Sequence, residues 1–243
     1  MLEQPPFSEC PSSRRRSVES VNSPIDVSKS VALVAGGTGG LGRLIVAELT
    51  GRGATVVTSS RATTAAVSHI AADLRSPDDV ERVVAATVEL HGRLDIVVNA
   101  AGVVAFGDAV STSVDTVEEV FLTNTFAHIF LCAAALPRMT KGGVIVGISG
   151  VVAEQNLPGM AIYGASKAAM RSFSEGFGRE ARRAGVRVID ARPPHAETGL
   201  AGRAVAGTPP RFPEGLNPAS VARRIVETIV NGETDLPSTA FGG

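Results

Sequence analysis

Residues 31–42 read Val-Ala-Leu-Val-Ala-Gly-Gly-Thr-Gly-Gly-Leu-Gly, and no other stretch limits the possible folds of this chain as strongly. The first five residues form a short valine-rich run, which suits a strand buried on both faces. The run enters a glycine-packed turn, and residues 43–49, Arg-Leu-Ile-Val-Ala-Glu-Leu, continue as a helix. Strand, glycine turn and helix in that order form a phosphate cradle. Glycine lets the backbone turn tightly and approach a diphosphate, and the helix N-terminus offers unpaired N–H groups to an anion. Gly36, Gly40 and Gly42 set the spacing, with Thr38, Gly39 and Leu41 inside the turn. The spacing differs from the common G-x-G-x-x-G fingerprint. Glycine turns between strand and helix also occur without a nucleotide, so the rest of the chain has to supply the context.

At 243 residues, the length suits one α/β domain with a substantial core. The net charge of −1 gives no reason to expect nucleic acid or an anionic membrane as a partner. No apolar run of about 20 residues is evident, so no membrane span is expected. Cys10 and Cys132 make no disulfide framework and are expected as reduced thiols in a cytoplasmic protein. No metal site is expected. Residues 1–27 form a separate tail rich in proline and serine, with the run Arg14-Arg15-Arg16, and are expected to be mobile. The arginine run is either an address or a plain solvated leader.

Beyond the tail, strands and helices alternate. Strands are expected at 54–58, 67–72, 94–98, 143–148 and 186–191, and helices at 114–139 and 163–183. The crossover at 62–66 is too short for a regular helix: parallel strands normally need a dozen or more residues between them. Ser76-Pro77-Asp78-Asp79 starts one helix and Asn217-Pro218 another, each with a capping side chain and proline at the first position. Such alternation implies a Rossmann-like doubly wound parallel sheet with helices on both faces, a single domain over 28–243. Ligands in such folds sit beyond the carboxyl ends of the strands. The glycine turn, Arg61, Asp73, Asn99, Ser149 and Pro193 all fall there.

Tyr163-Gly164-Ala165-Ser166-Lys167 places a phenol and an ammonium four residues apart on one helix face. The ammonium favours phenolate, so the tyrosine can exchange a proton with a substrate oxygen nearer neutral pH. Behind a dinucleotide cradle, this pair resembles the short-chain dehydrogenase/reductase family, and the resemblance extends over residues 28 to about 231. It implies a nicotinamide dinucleotide and hydride transfer to or from a carbonyl or alcohol carbon, with Tyr163, Lys167, Asn124 and Ser149 as catalytic candidates. Asn99-Ala100-Ala101-Gly102 is similar to the family's N-N-A-G, Asp73 with Leu74 to its adenine contact, and Pro193 and Thr198 to its P-G-x-x-x-T segment, where Pro194 replaces the glycine. The family's substrate-binding serine lies thirteen residues before the tyrosine; that position is Gly150, and Ser149 is one residue early. Strand alternation turns Ser149 away from Tyr163 unless a bulge brings it back.

Ser60-Arg61 ends the second strand, and no acid occurs between Thr55 and Asp73. An acid there would repel a 2′-phosphate and an arginine would bind it, so NADP(H) is the expected cofactor. Arg61 can equally cover the adenine ring. Gly150, Val151, Gln155, Tyr163 and His195 are candidate substrate contacts; His195 is either such a contact or a locally bonded loop histidine. The substrate is expected to be a small or medium, largely apolar carbonyl compound or alcohol, and residues 200–216 a mobile cover. By resemblance the chain forms a homo-oligomer, a dimer rather than the family's tetramer, since it ends without the usual glycine-rich last strand. The displaced serine keeps a second possibility open, a dinucleotide-binding protein with little turnover.

Overall fold

In the computed structural model, which describes residues 23–63 and 68–242, six parallel strands form one sheet in the order β3-β2-β1-β4-β5-β6. The strands are β1 (Val31–Ala35), β2 (Thr55–Ser60), β3 (His69–Ala71), β4 (Ile96–Asn99), β5 (Val144–Ile148) and β6 (Arg187–Ala191). β1 lies between β2 and β4, in register at Val31↔Thr55 and Ala32↔Ile96. The chain therefore winds outward from β1 in both directions, and the ends of β1 and β4 flank the crevice where such sheets hold ligands.

Among the described residues, six α-helices cover the two faces: α1 (Gly42–Gly51), α2 (Pro77–His91), α3 (Val114–Phe121), α4 (Ala127–Ala135), α5 (Ala161–Ala181) and α6 (Pro218–Asn231). Strand alternation divides the core. Val34, Val98 and Val146 pack with Ile45 of α1 and Ile225 of α6. Leu33, Val97 and Ile145 pack on the other side with Val84 of α2 and Leu131 of α4. The helix starts form as their sequences dictate: Ser76 Oγ accepts from Asp79 N at 3.3 Å, and Asn217 Oδ1 accepts from Ala219 N at 2.8 Å.

Four expectations change. The segment expected as one helix over 114–139 is interrupted by a π-helical turn, Leu122–Phe126, between α3 and α4. That continuous run, Val114–Arg138, is also long and apolar enough by length and composition to cross a membrane, contrary to the expectation that none would be. In the fold it lies against the sheet, with Val120, Leu131 and Cys132 fully buried. The domain begins earlier than residue 28: Val27 is buried, Ile25 packs on the α1–α6 side, and Ile25 N donates to Val230 O at 3.2 Å. Cys10 and the arginine run fall outside the described residues, as do 64–67 of the short crossover, while β3 itself shrinks to three residues. Beyond α6, Leu236 makes a single parallel bridge to Ala191, with Arg192 N donating to Leu236 O at 3.0 Å.

Candidate functional site

The glycine turn closes on itself. Gly36 has φ +76°, which only glycine adopts without strain, and its N–H reaches Ser59 O at 2.7 Å. A Cβ on Gly42 would stand 2.1 Å from Gly36 O, and one on Gly36 would stand 2.6 Å from Ala101 N. Any side chain at either position would collide with backbone. The result is an open backbone surface at the N-terminus of α1, with Thr38 and Gly39 exposed, and Gly40 lying against Thr198. A dinucleotide diphosphate fits this cradle: the space is free of side chains and the helix end supplies N–H groups. Leu41 instead packs on the core beside α1, and Leu74 is buried beneath α2, so both contribute side chains to packing.

At the end of β2, Ser60 Oγ donates to Ala62 O at 3.3 Å and Arg61 is exposed. His69 on β3 lies against the same turn, with Nδ1 2.9 Å from Thr58 Oγ1 and Nε2 2.8 Å from Ala62 O. The Asp73 carboxylate is engaged by Arg75, whose Nε reaches both oxygens at 3.0 Å. Arg75 also pairs with Glu119 of α3. The guanidinium holds the Asp73 carboxyl below its usual range.

Beyond β4, Asn99 Oδ1 accepts from Ala101 N at 3.1 Å and caps the Asn99-Ala100-Ala101-Gly102 turn. Gly102 stands close to two candidates at once: a Cβ there would lie 3.1 Å from Asn124 Oδ1 and 3.3 Å from Lys167 Nζ. Asn124, inside the π turn, uses its whole amide. It accepts from Val103 N and donates to Val103 O, both at 2.9 Å, and donates to Ser166 Oγ at 3.0 Å. Lys167 Nζ donates to Ile148 O at 2.8 Å. Burial lowers its pKa to about 8, and the Asp190 carboxylate opposes the fall.

Tyr163 sits one turn before Lys167 on α5 in an apolar cluster of Val104, Phe106, Val152 and Met160, with Leu200 and Phe212 closing over it. Removal from water pushes its phenol up to about 12. The expected downward pull of the lysine does not contribute to the shift, and the side chain stands as a neutral O–H. The cover segment is held rather than loose: Val205 N donates to Val104 O at 2.8 Å and Phe106 N to Ala206 O at 2.9 Å. His195 is a packed loop residue, stacked on Phe212 at 4.7 Å with Glu197 3.4 Å from its Nε2. Pro193 O accepts from Val151 N at 2.9 Å, while Gln155 is exposed.

Ser149 departs most from expectation. Ile145 and Gly147 face α4 and α5, and Ser149 continues that alternation, so it lies on the Lys167 side of the sheet. It lies deep, however: the residue is 1% exposed, and its hydroxyl sits beside Asp190 on β6 without closing a well-formed hydrogen bond. The chain leaves the strand at Gly150 with φ +83° and ψ 165°. The position thirteen residues before Tyr163 is thus built for glycine. Asp190, absent from the sequence-based candidates, was visible as a lone acid in an apolar strand; burial raises its carboxyl pKa, and Arg192 Nη1 holds one oxygen at 3.0 Å.

Residues 30–208 match the family model for short chain dehydrogenase. A dehydrogenase/reductase SDR family protein 7-like from Anopheles gambiae is 32% identical over 173 residues, which cover 68% of this chain and 55% of that protein. Hydroxynaphthalene reductase arp2 of Aspergillus fumigatus is 33% identical over 174 residues, 64% of each chain. The matched segment therefore spans between about half and two thirds of the length of these relatives. Among solved structures, a short-chain dehydrogenase from Streptomyces avermitilis superposes with a TM-score of 0.75 at 26% identity, over 86% of this chain and 88% of that one. The aldohexose dehydrogenase of Thermoplasma acidophilum gives 0.78 at 22% identity, over 90% and 95%, a likeness of fold. The chain belongs to the short-chain dehydrogenase/reductase family, oxidoreductases that bind a nicotinamide dinucleotide.

The backbone at residue 150 generates a prediction. A Cβ there meets little, with Pro193 O at 3.7 Å, but the conformation is essentially restricted to glycine. Gly150→Ser is expected to lower stability by about 1–3 kcal/mol in chemical denaturation. Unchanged stability would mean that the backbone at 150 relaxes freely.

Proposed function

We propose that this protein is an NADP(H)-dependent oxidoreductase that moves a hydride between the nicotinamide and a carbonyl or alcohol carbon of a small or medium, largely apolar substrate. Tyr163 carries the proposal: a neutral phenol set into an apolar cluster, one helical turn from an ammonium fixed beside the Asn99–Gly102 turn. The nicotinamide supplies or accepts the hydride when bound. Tyr163 gives its proton to the carbonyl oxygen in reduction and takes it back in oxidation. Lys167 stabilises the phenolate left behind and would hold the ribose of the nicotinamide when the dinucleotide is bound. Asn124 holds the Val103 backbone against both. The glycine turn, Asn99–Gly102, Pro193 and Thr198 frame the dinucleotide.

Arg61 supports NADP(H): beside Ser60 at the end of β2, it offers an exposed guanidinium to a 2′-phosphate. Phe106 and Phe212, whose rings meet with centroids 6.0 Å apart in the Tyr163 cluster, suit a flat apolar carbonyl compound, in keeping with the name of the hydroxynaphthalene reductase relative. A homodimer through α4 and α5 is supported by the stacked Phe126–Phe130 pair, with Phe126 43% exposed. One observation favours the alternative of a dinucleotide-binding protein with little turnover: the Ser149 hydroxyl, the candidate oxyanion donor, is buried at 1% exposure beside Asp190 of β6. An oxyanion donor of that kind contributes on the order of a hundred- to thousandfold in rate.

NADPH is expected to bind more tightly than NADH, with Arg61→Ala narrowing the gap; equal dissociation constants in the unaltered protein would refute the cofactor assignment. Tyr163→Phe should lower kcat on an accepted ketone on the order of a hundredfold or more while sparing NADPH affinity. Full activity would exclude Tyr163 as the proton donor, and no turnover by the unaltered protein across a carbonyl panel would favour the binding protein.

The sign of the pH effect follows from Lys167. Above about pH 8 its ammonium loses the proton and the phenolate loses its counter-ion, so reduction should slow as pH rises through that range. Asp190 helps keep the charge, so Asp190→Asn should move the falling limb of the kcat–pH profile to lower pH. A limb that stays in place or moves upward would exclude Lys167 as its source.

A further inference from the structure

We propose that His128 is a positioning residue for the dinucleotide: it fixes the side-chain amide of Asn99 and, through it, the turn on which the glycine loop rests. His128 lies on α4 and is fully buried. A buried imidazole is costly unless both nitrogens find partners, and here they do. Nε2 is 3.0 Å from Ser174 Oγ on α5, and Nδ1 is 3.4 Å from Asn99 Nδ2 at the end of β4.

The direction of each bond follows. The Ser174 hydroxyl donates to Met170 O at 2.9 Å, so its proton is committed and its oxygen accepts from His128 Nε2–H. Nδ1 is then bare and accepts from the Asn99 amide nitrogen. That choice turns the Asn99 oxygen toward Ala101 N–H, 3.1 Å away. Burial, reinforced by the nearby Lys167 charge, lowers the ring's pKa to about 3, so one neutral tautomer holds throughout the working pH range.

The chain of bonds runs from α5 through α4 to β4 and ends where a cofactor would lie. Ala101 N is the atom that a Cβ on Gly36 would strike, and Gly102 is the residue next to Lys167 Nζ. The sheet makes room for the ring at one place. A Cβ on Gly147 of β5 would stand 2.7 Å from His128 Cε1 and 2.9 Å from Nε2. The strand thus gives up a side chain where the helix inserts an imidazole. Phe173 meets the ring at 88°, centroids 5.8 Å apart, which sets its plane.

This proposal rests on dinucleotide binding alone, and neither the choice of NADP(H) nor turnover enters it. The test compares His128→Phe, which keeps a ring and removes both bonds, with Leu131→Ala, which opens a cavity in the same helix without touching the chain. NADPH and NADH dissociation constants are measured by titration, and hydrogen exchange at the Ala101 amide is followed without dinucleotide. His128→Phe should raise the dissociation constant of the better-bound dinucleotide about tenfold and speed Ala101 exchange. Leu131→Ala should lower the melting temperature but move neither readout. Combining His128→Phe with Asn99→Ala should add little to Asn99→Ala alone, since the two act in one chain. Original affinity in His128→Phe, unchanged Ala101 exchange, or an equal loss of affinity in Leu131→Ala would each overturn the proposal. Should His128→Phe not fold, Ser174→Ala removes the far acceptor and keeps the ring; about a threefold loss of affinity is expected, and no loss would count against the chain. Failure of the unaltered protein to bind NADPH while it binds NADH would speak against the assigned cofactor only, whereas failure to bind either dinucleotide would overturn the proposal.

Discussion

Backbone meets backbone where the first and fourth strands end, and the rest of the site depends on that approach. Gly36 faces Ala101 at a distance no side chain permits, and Gly42 closes over Gly36 in the same way. The contact draws the turn after β1 and the turn after β4 together at the point where the strand order reverses. From that junction Gly102 extends to Lys167 and Asn124, and Lys167 reaches back to the carbonyl of Ile148 on the next strand. Three strand ends and two helices are thereby set by a few close contacts among small residues.

A second constraint acts on the opposite rim. Arg192, nearly buried at the end of β6, pairs with Asp190 beside it, Glu154 in the turn after β5 and Asp235 near the C-terminus. A buried guanidinium needs such company, because stripping it of water is costly and removal of one partner leaves charge uncompensated. The node also ties the single bridge at Leu236 to the wall of the Tyr163 cluster.

What could be read from sequence was local. The glycine turn, the caps at Ser76 and Asn217 and the Tyr163–Lys167 pair each depend on residues within one or two turns of each other, and the structure forms all of them. What could not be read was set by distant partners. Asp73 is engaged by Arg75, whose other partner lies 44 residues further on in Glu119. The depth of Ser149 follows from which face β5 turns to α5, and parity within the strand alone does not reveal it. Nothing in the sequence marks His128, because Asn99, Gly147 and Ser174 come from three other segments. The start of the domain was misjudged because Ile25 finds its partner at Val230, across the whole chain.

The π turn at Leu122–Phe126 puts one surplus residue into an otherwise regular helix. An α-helix advances about 100° per residue, so that residue shifts the phase of everything after it by roughly that angle relative to what precedes it. α3 and α4 share an axis but keep separate calendars: the stripe that buries Val120 and the stripe that buries Leu131 cannot be superposed by counting in sevens. Shortening the segment by one residue would mend the local hydrogen bonding and, by the same act, swing His128 out of line with Asn99 or Asn124 out of line with Val103. The irregularity is what lets one continuous rod address two neighbours that a regular helix could serve only one at a time.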